Sequence, residues 1–152
     1  MRLVLLLAFF LLGTAFVARA DDHLILCGGP ALRQWEDLRR EHEQHDRWWA
    51  NFIRASTLRM SQIRLEHGEG ATLVWLVYRR GYLNRGNADN KPYLDWIESL
   101  AKKRNCELIW IESGEQAIKA INARSPRSIR TFDFFGHSNR HAFLLDYGSD
   151  IM

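Results

Sequence analysis

Side chains suited to catalysis or binding gather in four short stretches: Cys27-Gly28-Gly29, Tyr78-Arg79-Arg80, Glu112-Ser113-Gly114 and Gly136-His137-Ser138-Asn139. The last is the richest. An imidazole at position 137 is a general base suited to neutral pH, and Ser138 beside it is a candidate nucleophile. Gly136 and Asn139 are candidate substrate-binding positions, with Arg79 and Arg80 available for an acidic group. The run Gly136-His137-Ser138-Asn139-Arg140 approaches a nucleophile elbow, but that pattern wants a fifth-position Gly and later acid and His partners. Arg140 stands there instead, and only twelve residues follow it. Cys27 offers a thiol at a Gly-Gly turn and helix start, where a depressed pKa would make it a nucleophile for His137. A buried cysteine acting as a small hydrophobe is the plainer reading. The Gly28-Gly29 turn also has the form of an anion cradle at a helix N-terminus.

Several further residues have a chemical and a structural reading side by side. His42, His45 and Asp46 have the look of a metal cluster, yet His42 and His45 share a stripe with Trp35 and Trp49, so helix-face packing explains them, and a metal site would need a third ligand from elsewhere. Trp48-Trp49 offers a sugar-stacking surface or core packing. Arg85 joins Arg79 and Arg80 in a polar segment that reads as a solvated loop. Asp133 sits in a strand, either on its polar face or paired inside.

The elements that position these groups follow from hydrophobic period. His23–Cys27 is a short buried strand closed by Gly28-Gly29-Pro30. Ala31 to about His67 reads as one helix with Trp35, Leu38, His42, His45, Trp49, Phe52 and Ile53 inward, and a break is possible near Ser56. Glu36/Arg40 and Glu43/Arg47 are i,i+4 pairs on its solvated side. Thr72–Tyr78 is a strand covered on both faces, and a polar loop follows to Asn90. Lys91–Arg104 is a helix with Tyr93, Trp96, Ile97 and Leu100 inward and Asn105 as its C-cap. Glu107–Ile111 is a strand, Gly114–Ala123 a helix with Ala117, Ile118 and Ile121 inward, and Ile129–Phe135 a fourth strand. Ala142–Asp146 is a hairpin return. This alternation predicts a single α/β domain over 21–152, a three-layer sandwich with a mainly parallel sheet and right-handed crossovers in a caspase-like or Rossmann-like order.

From Thr72 to about residue 148 the succession strand, helix, strand, helix, strand, His137 and hairpin resembles the caspase-like (clan CD) cysteine peptidases. The resemblance implies a cysteine hydrolase with His137 as base. Ser138 stands where that family usually has Gly. The family places its catalytic Cys about 50 residues after the His, so the resemblance implies a nucleophile in sequence beyond Met152 and a module inactive alone. Two other functions are open: a non-catalytic secreted module for carbohydrate or peptide, and a serine esterase at Ser138.

Met1–Ala20 reads as a cleaved secretory signal, with Arg2, an apolar run from Leu3 to Leu12 and Ala18-Arg19-Ala20 at the cleavage site. Its apolar stretch is shorter than the ~20 residues a membrane span needs. The expected location is therefore secreted or periplasmic, with no lasting membrane anchor. Losing Arg2 and Arg19 takes the formal charge from +3 to about +1, which removes the argument for nucleic acid. Cys27 and Cys106 fall at opposite edges of a parallel sheet, too far apart for a disulfide. No cofactor motif is present. An uncovered edge strand is an aggregation hazard, so a C-terminal segment or an oligomer partner is expected to cover the open sheet edge.

Overall fold

The computed structural model describes residues 21–44 and 47–146. The expected signal segment, His45, Asp46, the Trp35 side chain and the last six residues lie outside them. Four strands, β1 (Asp22–Cys27), β2 (Thr72–Tyr78), β3 (Glu107–Ile111) and β4 (Ile129–Phe135), form one parallel sheet in the order β3-β2-β1-β4. Helices α1 (Arg33–Asp37), α2 (Asn51–His67), α3 (Arg79–Asp89), α4 (Tyr93–Lys103) and α5 (Gly114–Asn122) connect them, and a two-stranded hairpin, β5 (His137–Ser138) with β6 (Phe143–Leu144), follows β4. The three-layer α/β sandwich expected from the sequence is the fold observed.

Strand alternation divides the core in two. Ile25, Cys27, Leu73, Trp75 and Val77 point to the face carrying α2, α3 and α4, where Ile53, Met60, Ile63, Tyr82 and Ile97 meet them. Leu24, Leu26, Val74 and Leu76 point to the other face, where α5 contributes Ala117. The chain runs β1 to β2 to β3 in one direction and then returns to the far side of β1 as β4. That reversal puts α5 alone on the second face.

β1 is buried along its whole length, including its two polar residues. Arg124 donates to both carboxylate oxygens of Asp22, at 2.9 and 3.0 Å, and Ser128 donates its hydroxyl at 2.6 Å. These bonds, the Arg124 contact foremost, hold the Asp22 carboxyl below its ordinary pKa. His23 Nδ1 shares a hydrogen bond with Thr131 Oγ1 at 3.0 Å, and its ring lies 4.5 Å from that of His67. Burial lowers the His23 pKa, and the neighbouring charge of His67 adds to this. Asp133 finds its partner in Arg59 of α2, at 3.0 Å.

Two long-range expectations fail for the same reason. The segment from Ala31 to His67 is not one helix. It is a five-residue α1, a 3₁₀ turn at Glu41–Glu43, and α2 starting only at Asn51, so the break lies well before Ser56. Leu38 and His42, expected inward, are exposed. Of the expected ion pairs, Glu36 lies near Arg39 and Arg47 reaches Asp37. The segment 79–90 is not a loop but α3. Its inward stripe is Gly81, Tyr82, Arg85 and Gly86, which contains no aliphatic residue and so has no hydrophobic period to read. The buried Arg85 guanidinium donates to the carbonyls of Ala31 (2.7 Å) and Arg47, and to Asp89 at 2.7 Å. Those two carbonyls are thereby held out of a continuous helix. Ile118, also expected inward, is exposed, because the α5 stripe of Ala117, Ala120 and Ile121 is all that meets the sheet.

Gly81 lets α3 approach the β1 turn. A Cβ there would stand 2.6 Å from the Cα of Gly29, a backbone atom that cannot swing away. Gly81→Ala gains about 1 kcal/mol of helix propensity against an overpacking cost of about 1–3 kcal/mol. The expected outcome in chemical denaturation is a net loss of stability, and a Gly81→Ala variant as stable as the parent would refute the contact. A second expectation concerns pH. His23 binds its proton less readily folded than unfolded, so its contribution is whole above the unfolded value near 6.5 and is lost as pH falls from there towards the lowered folded value. The melting temperature should decline on acidification below about pH 6.5, and His23→Gln should flatten that decline. An unchanged slope in the variant would remove His23 from the account.

Candidate functional site

In open α/β sheets the ligand crevice opens beyond the carboxyl ends of the strands, where the strand order reverses. Here that point lies between β1 and β4, whose carboxyl ends are Cys27 and Phe135, register partners across the ladder. The two following turns touch: a Cβ on Gly28 would stand 3.4 Å from the Cα of Gly136. β4 thus delivers Gly136-His137 beside Cys27-Gly28-Gly29, and the structure brings these two sequence candidates together.

The crevice they would form is filled by the chain itself. Gly28 N–H donates to the Phe135 carbonyl at 2.9 Å, and Gly29 N–H donates to the Leu145 carbonyl at 2.7 Å. A Cβ on Gly28 would also come within 3.1 Å of the Leu144 carbonyl oxygen. The Tyr78 hydroxyl donates to Asp146 at 3.2 Å and ties the end of the hairpin segment to β2. The Gly28-Gly29 turn is therefore no anion cradle, because both N–H groups already have carbonyl partners.

Cys27 is fully buried. Its thiol lies 3.3 Å from the Tyr82 hydroxyl and 3.6 Å from the Gly28 carbonyl, and Tyr82 itself donates to that carbonyl at 2.9 Å. Burial pushes the Cys27 thiol up to about 11, which leaves a thiolate fraction of about 10⁻⁴ at pH 7. The side chain is packed as a small hydrophobe. Burial pushes Cys106 up to about 11 as well; it is half-buried just before β3, and both thiols are free.

His137 packs the edge of its ring on Phe52 of α2, with centroids 5.0 Å apart. Ser138 is exposed and pairs with Phe143 across the hairpin. Asn139 turns that hairpin: its side-chain oxygen accepts from the N–H groups of His141 (2.8 Å) and Ala142 (2.9 Å). The glycine at 136 admits the Phe134 ring, which a Cβ would meet at 2.5 Å. Arg79 lies 3.6 Å from Glu112 at the end of β3, so its charge is offset there, while Arg80 is exposed. Arg85 is not on a solvated loop: it lies on α3, held in the core with Asp89, whose carboxylate also accepts from the Tyr93 hydroxyl at 2.8 Å. Tyr82 and Asp89 escape a search for hydrophobic stripes, and the stripe gives Tyr93 as packing only, without its hydroxyl bond to Asp89. The spacing Arg85, Asp89, Tyr93, four residues apart each time, is the signal that would have found them.

Trp49 stacks on Tyr93 with centroids 4.0 Å apart, while Trp48 is about half exposed. Among the described residues no group of three or more His, Cys, Asp or Glu side chains is arranged to hold a metal ion, and no helix is long and apolar enough to cross a membrane. Comparisons with protein-family models, curated proteins and solved structures found no match to the chain.

The contrast between the two thiols is directly measurable. In the native protein, iodoacetamide at pH 8 should modify Cys106 slowly and spare Cys27, and both should react in denaturant. Rapid native labelling of Cys27 would show that the carboxyl edge opens.

Proposed function

We propose that the chain is an exported, non-catalytic binding module that takes an extended apolar peptide as an added strand along β4. The observation that carries this reading is the state of β4 and its second face. β4 ends the sheet, and an edge strand presents a free row of N–H and C=O groups to a pairing segment. Phe132 and Phe134 share the face of β4 that α5 leaves largely uncovered. Phe143 of the hairpin stacks on Phe134 at 4.4 Å. Phe132 and Phe143 are 42% and 61% exposed, so an arriving strand meets an aromatic wall that would take its alternate side chains.

A caspase-like hydrolase with His137 as base is the second reading, favoured by the delivery of His137 next to the β1 turn. It needs a nucleophile other than Cys27, and it needs the hairpin segment to leave the crevice. The serine-esterase reading has less support, since Ser138 lies on a hairpin strand rather than at a strand-to-helix elbow. Neither the hydrolase nor the binding reading involves nucleic acid.

Panning a linear-peptide phage library on the immobilised chain should enrich segments with alternating apolar residues. Phe132→Glu and Phe143→Glu should each weaken a selected synthetic peptide about tenfold or more, as expected for interface aromatics. Trp48→Ala and His137→Ala should leave it unchanged. Loss of binding in Trp48→Ala with tolerance at Phe132 would move the site to the tryptophans. A dimer that Phe132→Glu dissolves in sedimentation would make a second copy the occupant of β4.

A further inference from the structure

The opposite, amino-terminal edge of the sheet carries a cavity of about 390 Å³ between the last turns of α2 and α4, near the start of β2. We propose that it binds a small organic carboxylate with an apolar body. Its volume lies in the range of small-molecule sites. Met60 and Leu73, both in the buried core, form an apolar floor, and Leu65 stands exposed at the rim. Three cations, Arg64, Lys103 and Arg104, surround that floor, and Glu69 is the one carboxylate in the lining. The Glu69 side chain is almost fully exposed and 3.7 Å from Arg64, so water screens it and it neutralises the site only weakly.

The cations differ in what they have left to give. Arg64 donates to the carbonyls of Glu69, Ala71 and Asn105. It closes off the end of α2 and acts as a fixed positive wall. Arg104 donates one terminal N–H to Ser61 Oγ. Its Nε is buried and has no acceptor among the described residues. Lys103, in the last turn of α4, is exposed at the mouth. Positive side chains at helix carboxyl ends are expected from the helix dipole alone, and Arg64 needs no other explanation. That account leaves one feature over: an apolar floor ringed by cations, which no capping role requires. A carboxylate set between the charges of Arg104 and Lys103, with a hydrocarbon body on Met60 and Leu73, answers it. Bare phosphate would satisfy the cations and leave the floor wet.

The site is independent of the β4 surface, and its test does not touch that reading. Octanoate, octan-1-ol and inorganic phosphate are titrated separately into the ¹⁵N-labelled full chain. Octanoate should move the amides of Leu73, Arg104 and Asn105 in a saturable way. Octanol and phosphate should each bind about tenfold more weakly or worse, since each lacks one half of the match. Lys103→Glu, at an exposed position, should weaken octanoate about tenfold. Arg104→Leu should abolish the preference of octanoate over octanol, and its amide spectrum reports whether it folds. Equal binding of octanoate and octanol, phosphate binding as well as octanoate, an unchanged affinity in Lys103→Glu, or shifts confined to other residues would each overturn the proposal.

Discussion

The burial of β1 on every side is the constraint from which the rest of this structure follows. A strand flanked by β2 and β4 and covered on both faces can keep polar residues only if each finds a partner inside. Asp22 obtains Arg124 and Ser128, and His23 obtains Thr131. Both sets of partners come from beyond residue 120, so the start of the first strand is completed by the last third of the chain. At the other end, Gly28 and Gly29 have their N–H groups taken by Phe135 and Leu145. The C-terminal hairpin segment is thus part of how β1 is buried. Breaking the Asp22–Arg124 pair from one side would leave a buried charge, an imbalance on the order of 3–5 kcal/mol, which is large against the stability of a small domain.

The strands were legible because their information is local. Thr72–Tyr78 is apolar throughout, so it reads as a doubly covered strand and is one. The helices α4 and α5 were legible for the related reason that each turns an apolar stripe to the sheet, although Trp96 and Ile118, read as inward members of those stripes, are exposed. The helix α3 was not. Its contact with β1 depends on the absence of a side chain at Gly81 and on polar groups at Tyr82 and Arg85, and a glycine used for close approach looks in a sequence like a glycine used for a turn. The same guanidinium explains the division of the Ala31–His67 segment. Its capture of the Ala31 and Arg47 carbonyls joins residues 54 and 38 positions away, and no periodicity records that.

The candidate site shows a different limit. That β4 would end at Gly136-His137 near a strand-end turn was readable from strand boundaries, and which strands would be neighbours was not. The order β3-β2-β1-β4 sets Cys27 beside Phe135 and so brings the two turns into contact. Alternation then separates the groups that had looked like partners: the Cys27 thiol turns inward to Tyr82, Ser138 turns out to solvent, and Asn139 is spent on the hairpin turn. A cysteine near a histidine in space is not a catalytic pair unless the thiol is ionisable and reachable, and a thiol sealed at about 11 is neither.

The two faces of the sheet divide the labour unequally, and this asymmetry bears on function more than any single residue does. One face is covered by α2, α3 and α4, with an aromatic group of Trp49, Tyr82 and Tyr93 closing it. The other is covered by the nine residues of α5. A helix about 10 Å across cannot span four strands set about 4.8 Å apart, so some of that face must remain open once α5 has settled near β3. The open part falls on β4, the strand that also ends the sheet. Exposed aromatic area and an edge backbone therefore coincide on one strand as a consequence of topology, and any strand that paired with that backbone would set its own side chains beside the phenylalanines.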